Sequence, residues 1–562
     1  MDDVVFSAPG KGPWELESVH FPRPFSRFIG SAVIESFPTG FAHGTARYGL
    51  LLSHLEPALV NGFLYQQPAA YLAPKGAMGP PPAPVLWLLT RLHPKMRARI
   101  ATGVRAFEEK RWRQDLDLWD SRDKPAAIEQ HKAIQIVDVH ALSDEGLVEH
   151  LAQCHDHARR MIELHHEYTA TVIVVTGIYV SDALAWTDAS AGEVCHLLRG
   201  SSPISNGFAA EELVKAGDAL AANDDASALL RAAGPAGATL AALCGDPDVG
   251  PAVRAYVEAV QFRTVGYDVG DRMAGEMPEL LVEALATAAA EPAPRAGDDE
   301  ALERVRSQVP AEHLSHFDEN LAEARLVNRL RDERGVYSDG WAMGLARRAV
   351  LEAGRRLHER GLLLAPEHAV DLQLDELGAL LRGDDGPSPA EAAAHHAWRT
   401  TKTTADAPPF LTAMPGPPPP VELLPPAARR MAKAANAMLE NLFGGASTPN
   451  TETVIHGLTV NSGTYEGTAR LVEDSADFGR IRQGDVLVTR NTSPYFNVVL
   501  PLLGAIVTDR GGQLSHAAIV AREYGIPGVV GTRDATSTIP DGARVRVDGS
   551  NGEVHVLGRP AS

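Results

Sequence analysis

The chain has 562 residues, too many for one ordinary core and enough for two or three domains. Its hydrophobic content of 44% is that of a folded globular protein, and its net charge of −20 argues against nucleic acid or an anionic membrane surface as partner, because both need basic patches. Cys154, Cys195 and Cys244 form no CxxC pair, so neither a zinc ribbon nor a disulfide framework is expected and no metal site is assigned.

The acidic N-terminus, MDDVVFSAPGKGPW, lacks the apolar stretch of a signal peptide. The longest apolar runs, 171–180 and 498–507, are about half of a membrane span. A cytoplasmic location is the expectation. The first 80 residues, rich in Pro, Gly and aromatics, read as irregular. Arg27, His43, Arg47 and His54 sit among those aromatics and are candidate substrate-binding residues, with ordinary packing as the alternative.

Residues 144–172 place Leu, Met, Ile and His at helical spacing behind the start signal of Ser143, with Asp144 and Glu145 in the first turn. His150, His155, His157, His165 and His166 fall on this helix. Structural histidines, a general base or a metal site are all open readings; no HExxH accompanies them, and His157 is the candidate catalytic base. Further helices are expected at 209–233, 251–266, 278–290, 311–333 and 340–360, with a loop at 291–299. Arg331 and Arg334 are candidate catalytic cations and Arg347 and Arg348 candidate substrate contacts, against the alternative of a solvated charged face.

Residues 404–426 contain PGPPPP and LLPP. So much proline implies an extended, semi-rigid linker that could span roughly 70 Å. It separates a mainly helical part, 1–403, from residues 427–562, which open on a helix at 427–443. From about 450 onward the pattern changes to short strands at 453–460, 463–471, 485–489, 505–508, 528–530, 544–548 and 553–556, with helices between some of them. The fold class expected is therefore multidomain: a mainly α-helical domain followed by a small α/β domain.

The segment GAIVTDRGGQLSHAAIVAREYGIPGVVG (504–531) reads as strand, loop, helix, strand. Gly511 and Gly512 allow a sharp turn and close approach to a bulky group. Ser515 is a natural N-cap, which puts His516 at the first helical position, where unpaired N–H groups and a partial positive charge suit a phosphate on the imidazole. An imidazole is nucleophilic and neutral near pH 7, and its phosphoramidate bond is labile enough to pass the group on. Thr492, Ser493, Gly511, Gly512, Ser515 and Arg510 are the candidate phosphate-binding residues, and Arg522 is a further source of positive charge.

Thr508-Asp509, Gly511-Gly512, Ser515-His516-Ala517-Ala518-Ile519-Val520-Ala521-Arg522-Glu523 and Gly525-Ile526-Pro527 together resemble the swivelling phosphohistidine domain of the PEP-utilising enzymes. The resemblance implies that His516 carries a phosphoryl group. No PEP/pyruvate barrel is expected after the domain, and the helical part does not read as an ATP-grasp fold. HFPRPFSRF, ARYGL, NGFLYQQP and the stretch 330–363 are similar instead to the acceptor-binding domain of rifamycin phosphotransferase-like proteins, and the domain order resembles one subunit of the phenylphosphate synthase type. What this implies is a phosphotransferase subunit. A separate ATP-grasp partner, holding ATP and Mg²⁺, would load His516, and a phenol-type hydroxyl would receive the phosphate. A rifamycin-like natural product as acceptor, or a regulatory phosphocarrier without acceptor chemistry, are the alternatives.

Overall fold

The computed structural model describes residues 4–18, 20–202, 210–232, 234–290, 299–414, 416, 418–444, 450–451, 453–473, 475–492, 496 and 499–558. The chain divides into two compact units, neither of them continuous in sequence. Unit 1 comprises Met1–Val174, Tyr267–Asp271 and Arg334–Lys433; unit 2 comprises Val175–Gly266, Arg272–Glu333 and Ala434–Ser562. The boundary therefore does not fall at a proline linker. Helices from the first 400 residues share unit 2 with the C-terminal strands.

Unit 1 is helical around a three-stranded sheet, order β1-β3-β2, made of β1 (Glu15–Leu16), β2 (Leu52–Val60) and β3 (Phe63–Ala70). The first 80 residues are thus not irregular. They contain the 21-residue helix Arg27–Arg47, which the composition concealed because it holds Gly30, Pro38, Gly40 and Gly44. The glycines have a packing reason. A Cβ on Gly40 would meet the carbonyl oxygen of Glu163 at 2.1 Å and one on Gly44 that of Glu167 at 2.6 Å, so the helix lies directly against the backbone of Asp144–Glu167. Between β2 and β3, Asn61 (φ 52°) and Gly62 (φ 83°) make a two-residue hairpin turn that needs positive φ at both positions.

Most of the stretch expected to be a free linker is packed on unit 1. Pro409 O accepts from Leu16 N at 3.0 Å, Pro408 O from the Tyr65 hydroxyl at 2.7 Å, and Leu411 N donates to Trp14 O at 3.0 Å. Leu424 is buried with Leu86, Met96 and Ile100. Proline removes a donor but keeps its carbonyl, so a proline-rich strand can still pair along an edge through its acceptors. Residues 415 and 417 lie outside the described part.

The expected helix at 144–172 runs as Asp144–Glu167, followed by Thr169–Trp186. Together, Asp144–Trp186 are long and apolar enough to cross a membrane by length and composition, longer than the runs read from the sequence; 61% of the apolar window is buried within the protein, as in a core helix.

Unit 2 combines helices with an eight-stranded mixed sheet. Its strands are β4 (Val454–His456), β5 (Leu458–Asn461), β6 (Thr464–Val472), β7 (Asp485–Thr489), β8 (Leu503–Thr508), β9 (Gly528–Val530), β10 (Arg544–Asp548) and β11 (Glu553–Gly558), in the order β4-β11-β10-β6-β7-β8-β9-β5. The central four, β6 to β9, are parallel and the flanks antiparallel. β7 and β8 are almost continuous apolar runs, which suits parallel strands covered on both faces. Ala505, Val507, Val486, Val488 and Val529 are fully buried in the core of this sheet.

Candidate functional site

The loop 509–515 leaves the C-terminal end of β8, the end at which parallel α/β sheets present ligand sites. It is braced from both sides. Thr508 Oγ1 donates to Arg510 O at 2.7 Å, and the carboxylate of Asp509 accepts from the backbone N–H and the hydroxyl of Thr536. Gly511 adopts φ +103°, and a Cβ there would strike the Ser515 side chain at 2.7 Å. Gly512 lies on the last turn of the helix Pro426–Phe443. A Cβ on it would meet Asn441 O at 2.3 Å, and Gly512 N and Leu514 N donate to Leu442 O and Asn441 O at 2.9 and 2.7 Å. The glycines thus build the turn.

Ser515 is the N-cap of the helix His516–Glu523, its hydroxyl accepting from Ala518 N. His516 is the first helical residue and is 9% exposed. Its Nδ1 pairs with the hydroxyl of Thr492 at 3.0 Å. Burial, helped by the charge of Arg331, pushes the His516 pKa down to about 3. The ring is therefore neutral at physiological pH. In the tautomer in which Nδ1–H donates to the Thr492 hydroxyl, the lone pair stands on Nε2, which can attack a phosphorus atom while the helix N-terminus offers its dipole to the incoming charge.

Of the other expected phosphate contacts, Arg510 is exposed, and Ser493 lies outside the described residues. Arg522 is not aimed at a phosphate. It is buried, and its guanidinium donates to Val460 O, Gln513 O and Gln513 Oε1, clamping the loop from beneath. Its own charge is disfavoured by burial. Next to it, Glu523 accepts twice from Gly200 N, at 2.8 and 3.0 Å, and burial raises its pKa to about 7.

The candidates from the helical part separate into several places. Arg331, in unit 2, acts electrostatically on His516. Arg334, three residues later in the helix Leu330–Val336, belongs to unit 1, where it donates to His165 O at 3.1 Å and to Thr169 Oγ1 at 2.5 Å. His157 does not have the setting of a base. It is 1% exposed, and its Nε2 faces His131 Nδ1 at 2.8 Å, while His131 Nε2 faces Tyr337 O at 3.1 Å. Its pKa is pushed down to about 4 by burial. A buried histidine chain ending on a carbonyl is a packing device.

The expected substrate contacts also have structural partners. Arg27 pairs with Glu376 and His395, and Arg47 with the buried Asp115, which Tyr48 and Thr171 also reach. His54 sits on the β2 hairpin strand beside Ser53 Oγ. Arg347 donates to Val269 O; Arg348 caps the C-terminal end of the helix Lys124–Gln135 through Gln135 O and Ile134 O. The four arginines are thus ties between elements of unit 1 rather than the lining of one pocket. His43 differs, being exposed beside Glu167 and Glu163, and these three side chains could together hold a metal ion. The sequence reading missed that grouping because its carboxylates lie on another helix.

Residues 481–552 match the family described as PEP-utilising enzyme, mobile domain. The segment around His516 is therefore similar to the mobile domain of that family. The curated relatives agree. The chain is 46% identical to an uncharacterized phosphotransferase, YvkC, of Bacillus subtilis over 110 residues, which is 20% of this chain and 13% of that protein. It is 44% identical to a rifampicin phosphotransferase of Streptomyces sviceus over 101 residues, 18% of this chain and 12% of the relative. A longer match, 31% over 267 residues, covers 46% of this chain and 7% of a chondramide synthase of Chondromyces crocatus. In each case the chain spans only a small part of the relative's length.

Proposed function

We propose that this protein is a phosphotransferase component that carries a phosphoryl group on Nε2 of His516 and delivers it to the hydroxyl of a small aromatic, phenol-type acceptor bound by the helical residues of unit 1. The observation that carries the reading is the buried, neutral His516 at a helix N-terminus with Nδ1 held by Thr492. Such a ring is a competent nucleophile and a competent leaving group, because the Nδ1 proton stays in place as the N–P bond forms and breaks. Forming a phosphoramidate requires an activated donor. Mg²⁺-ATP held on a separate ATP-grasp protein supplies that chemistry, in the cytoplasm, where ATP is abundant. A phenol suits the acceptor role because its pKa, about 10, makes proton loss accessible to an ordinary base. Phosphoryl transfer otherwise needs only alignment, charge neutralisation and exclusion of water.

A larger natural-product acceptor is the second reading. It is favoured by the likeness to rifampicin phosphotransferase and to chondramide synthase.

The test mixes the full chain with a purified candidate ATP-grasp protein, ATP and Mg²⁺, and follows acid-labile, alkali-stable phosphate. The expected result is label on the wild type, none on His516→Ala, and discharge by a phenol. Label that persists on His516→Ala rules out the carrier role; discharge by water alone points to a regulatory phosphocarrier.

A further inference from the structure

Within unit 1, one histidine of the His-rich helix has a setting unlike that of His157. His165 Nδ1 lies 3.0 Å from Asp339 Oδ1, with the two side chains 13% and 10% exposed. Asp339 opens the helix Asp339–Glu359 and His165 closes Asp144–Glu167, so two helix ends hold the pair. The ring of His166 lies 4.6 Å from that of His165 and meets Phe37 edge-on at 4.5 Å. Arg334 binds the carbonyl of His165, and His20 is close enough to act on both imidazoles electrostatically. A carboxylate on Nδ1 fixes the Nδ1–H tautomer and leaves the proton-accepting lone pair on Nε2, the arrangement by which an oriented imidazole serves as general base.

We infer that His165, oriented by Asp339, is the general base that deprotonates the acceptor hydroxyl, with His166 and the Phe37 ring packed on it as the neighbouring aromatic groups. This deepens the function proposed above and rests on it. In the step, the acceptor oxygen forms the O–P bond, its proton passes to His165 Nε2, and the N–P bond electrons return to His516 Nε2. His516 is left neutral with its Nδ1 proton retained, and the imidazolium formed on His165 faces the Asp339 carboxylate. Burial and the neighbouring Arg334 and His20 lower the pKa of His165, so it is neutral and able to accept a proton at physiological pH.

The test loads His516 chemically with phosphoramidate, which bypasses the donor protein. After removal of excess reagent, it measures discharge to phenol and to the more acidic 4-nitrophenol. The expected result is that His165→Gln and Asp339→Asn accept the label as the wild type does. Discharge to phenol should then fall about 100-fold in His165→Gln, the lower end of what a general base contributes. Discharge to 4-nitrophenol, which needs little help in losing its proton, should fall far less. The imidazole ¹⁵N spectrum of wild-type His165 should show the Nδ1–H tautomer, lost in Asp339→Asn. Equal loss with both phenols, or none, overturns the base assignment while leaving the carrier reading intact. A wild type that takes the label but gives it to no phenol overturns the acceptor reading and this inference with it.

Discussion

Thr492 Oγ1 lies 3.0 Å from Nδ1 of His516, across the gap between the segment that follows β7 and the helix that follows β8. Two parallel neighbouring strands thus bring the His516 ring and the hydroxyl that pairs with its Nδ1 to one end of the sheet. Thr492→Val keeps the shape and removes the partner. Phosphorylation of His516 should slow by roughly tenfold, the value of one hydrogen bond of about 1.4 kcal/mol. Thr492→Ser should restore most of the rate. Rapid-quench labelling measures both, and an unchanged Thr492→Val rate removes the tautomer argument.

The depressed pKa of His516, about 3, has a kinetic and a thermodynamic consequence. A histidine with its ordinary pKa would lose nucleophilicity as pH falls through 6.5. His516 should instead label at the same rate from pH 8 to pH 5.5, once the donor's own profile is subtracted; an inflection near 6.5 would contradict the burial. For stability, the unfolded ring binds a proton below 6.5 while the folded ring resists it down to about 3. The unfolded state therefore gains protons first, and stability falls as the pH drops through that window. His157, held near 4, adds in the same direction. Denaturant midpoints should decline from pH 6.5 downward, less steeply in His516→Asn.

Arg331 lowers the pKa of His516 while the ring is unmodified, and the same charge attracts a phosphoryl dianion once the ring is loaded. Arg331→Gln should raise the pKa of His516 and reduce the labelled fraction by about tenfold or more, in line with a charge-assisted contact. Arg331→Lys should recover part of it. A variant that labels normally would place Arg331 among the structural arginines, with Arg347 and Arg348.

The C-terminal strands were legible because alternation and β-branched runs state their period directly. β7, β9 and β10 begin and end where the pattern does, and β6, β8 and β11 differ by one or two residues at their ends, but the single strand expected at 453–460 is broken at Gly457 into β4 and β5, which lie at opposite edges of the sheet. The glycine loop and the Ser515 cap were legible for the same reason, since each residue type answers a local backbone demand. The acceptor side was not. Arg27, Arg47, Arg347 and Arg348 look like ligands in sequence and are tie bars in three dimensions, because whether a charge meets a carboxylate or a carbonyl depends on contacts up to 349 residues away. Asp339 is likewise invisible until the end of one helix is set beside another, 174 residues distant from His165. The Asn61-Gly62 pair is itself a hairpin signal in the sequence, masked by surrounding prolines and glycines that suggest irregular chain.

Gly40 gives the sharpest test of the helical architecture. The helix Arg27–Arg47 would be better helix former with alanine there by about 1 kcal/mol on propensity alone. The structure predicts the opposite sign, because the new Cβ would lie 2.1 Å from Glu163 O, a backbone atom that cannot rotate away. Forcing the helices apart costs about 1–3 kcal/mol in well-packed cores and exceeds the propensity gain. Gly40→Ala should therefore lower the melting temperature. Gly361→Ala is the contrast: nothing lies within 4 Å of its Cβ position, but φ is +73°, so any loss there comes from backbone strain alone. Because His165 is two residues along the helix from Glu163, displacement at Gly40 should also disturb the His165–Asp339 pair. Discharge of phospho-His516 to phenol should fall in Gly40→Ala, whereas labelling of His516 and discharge to phenol in Gly361→Ala should stay near wild type.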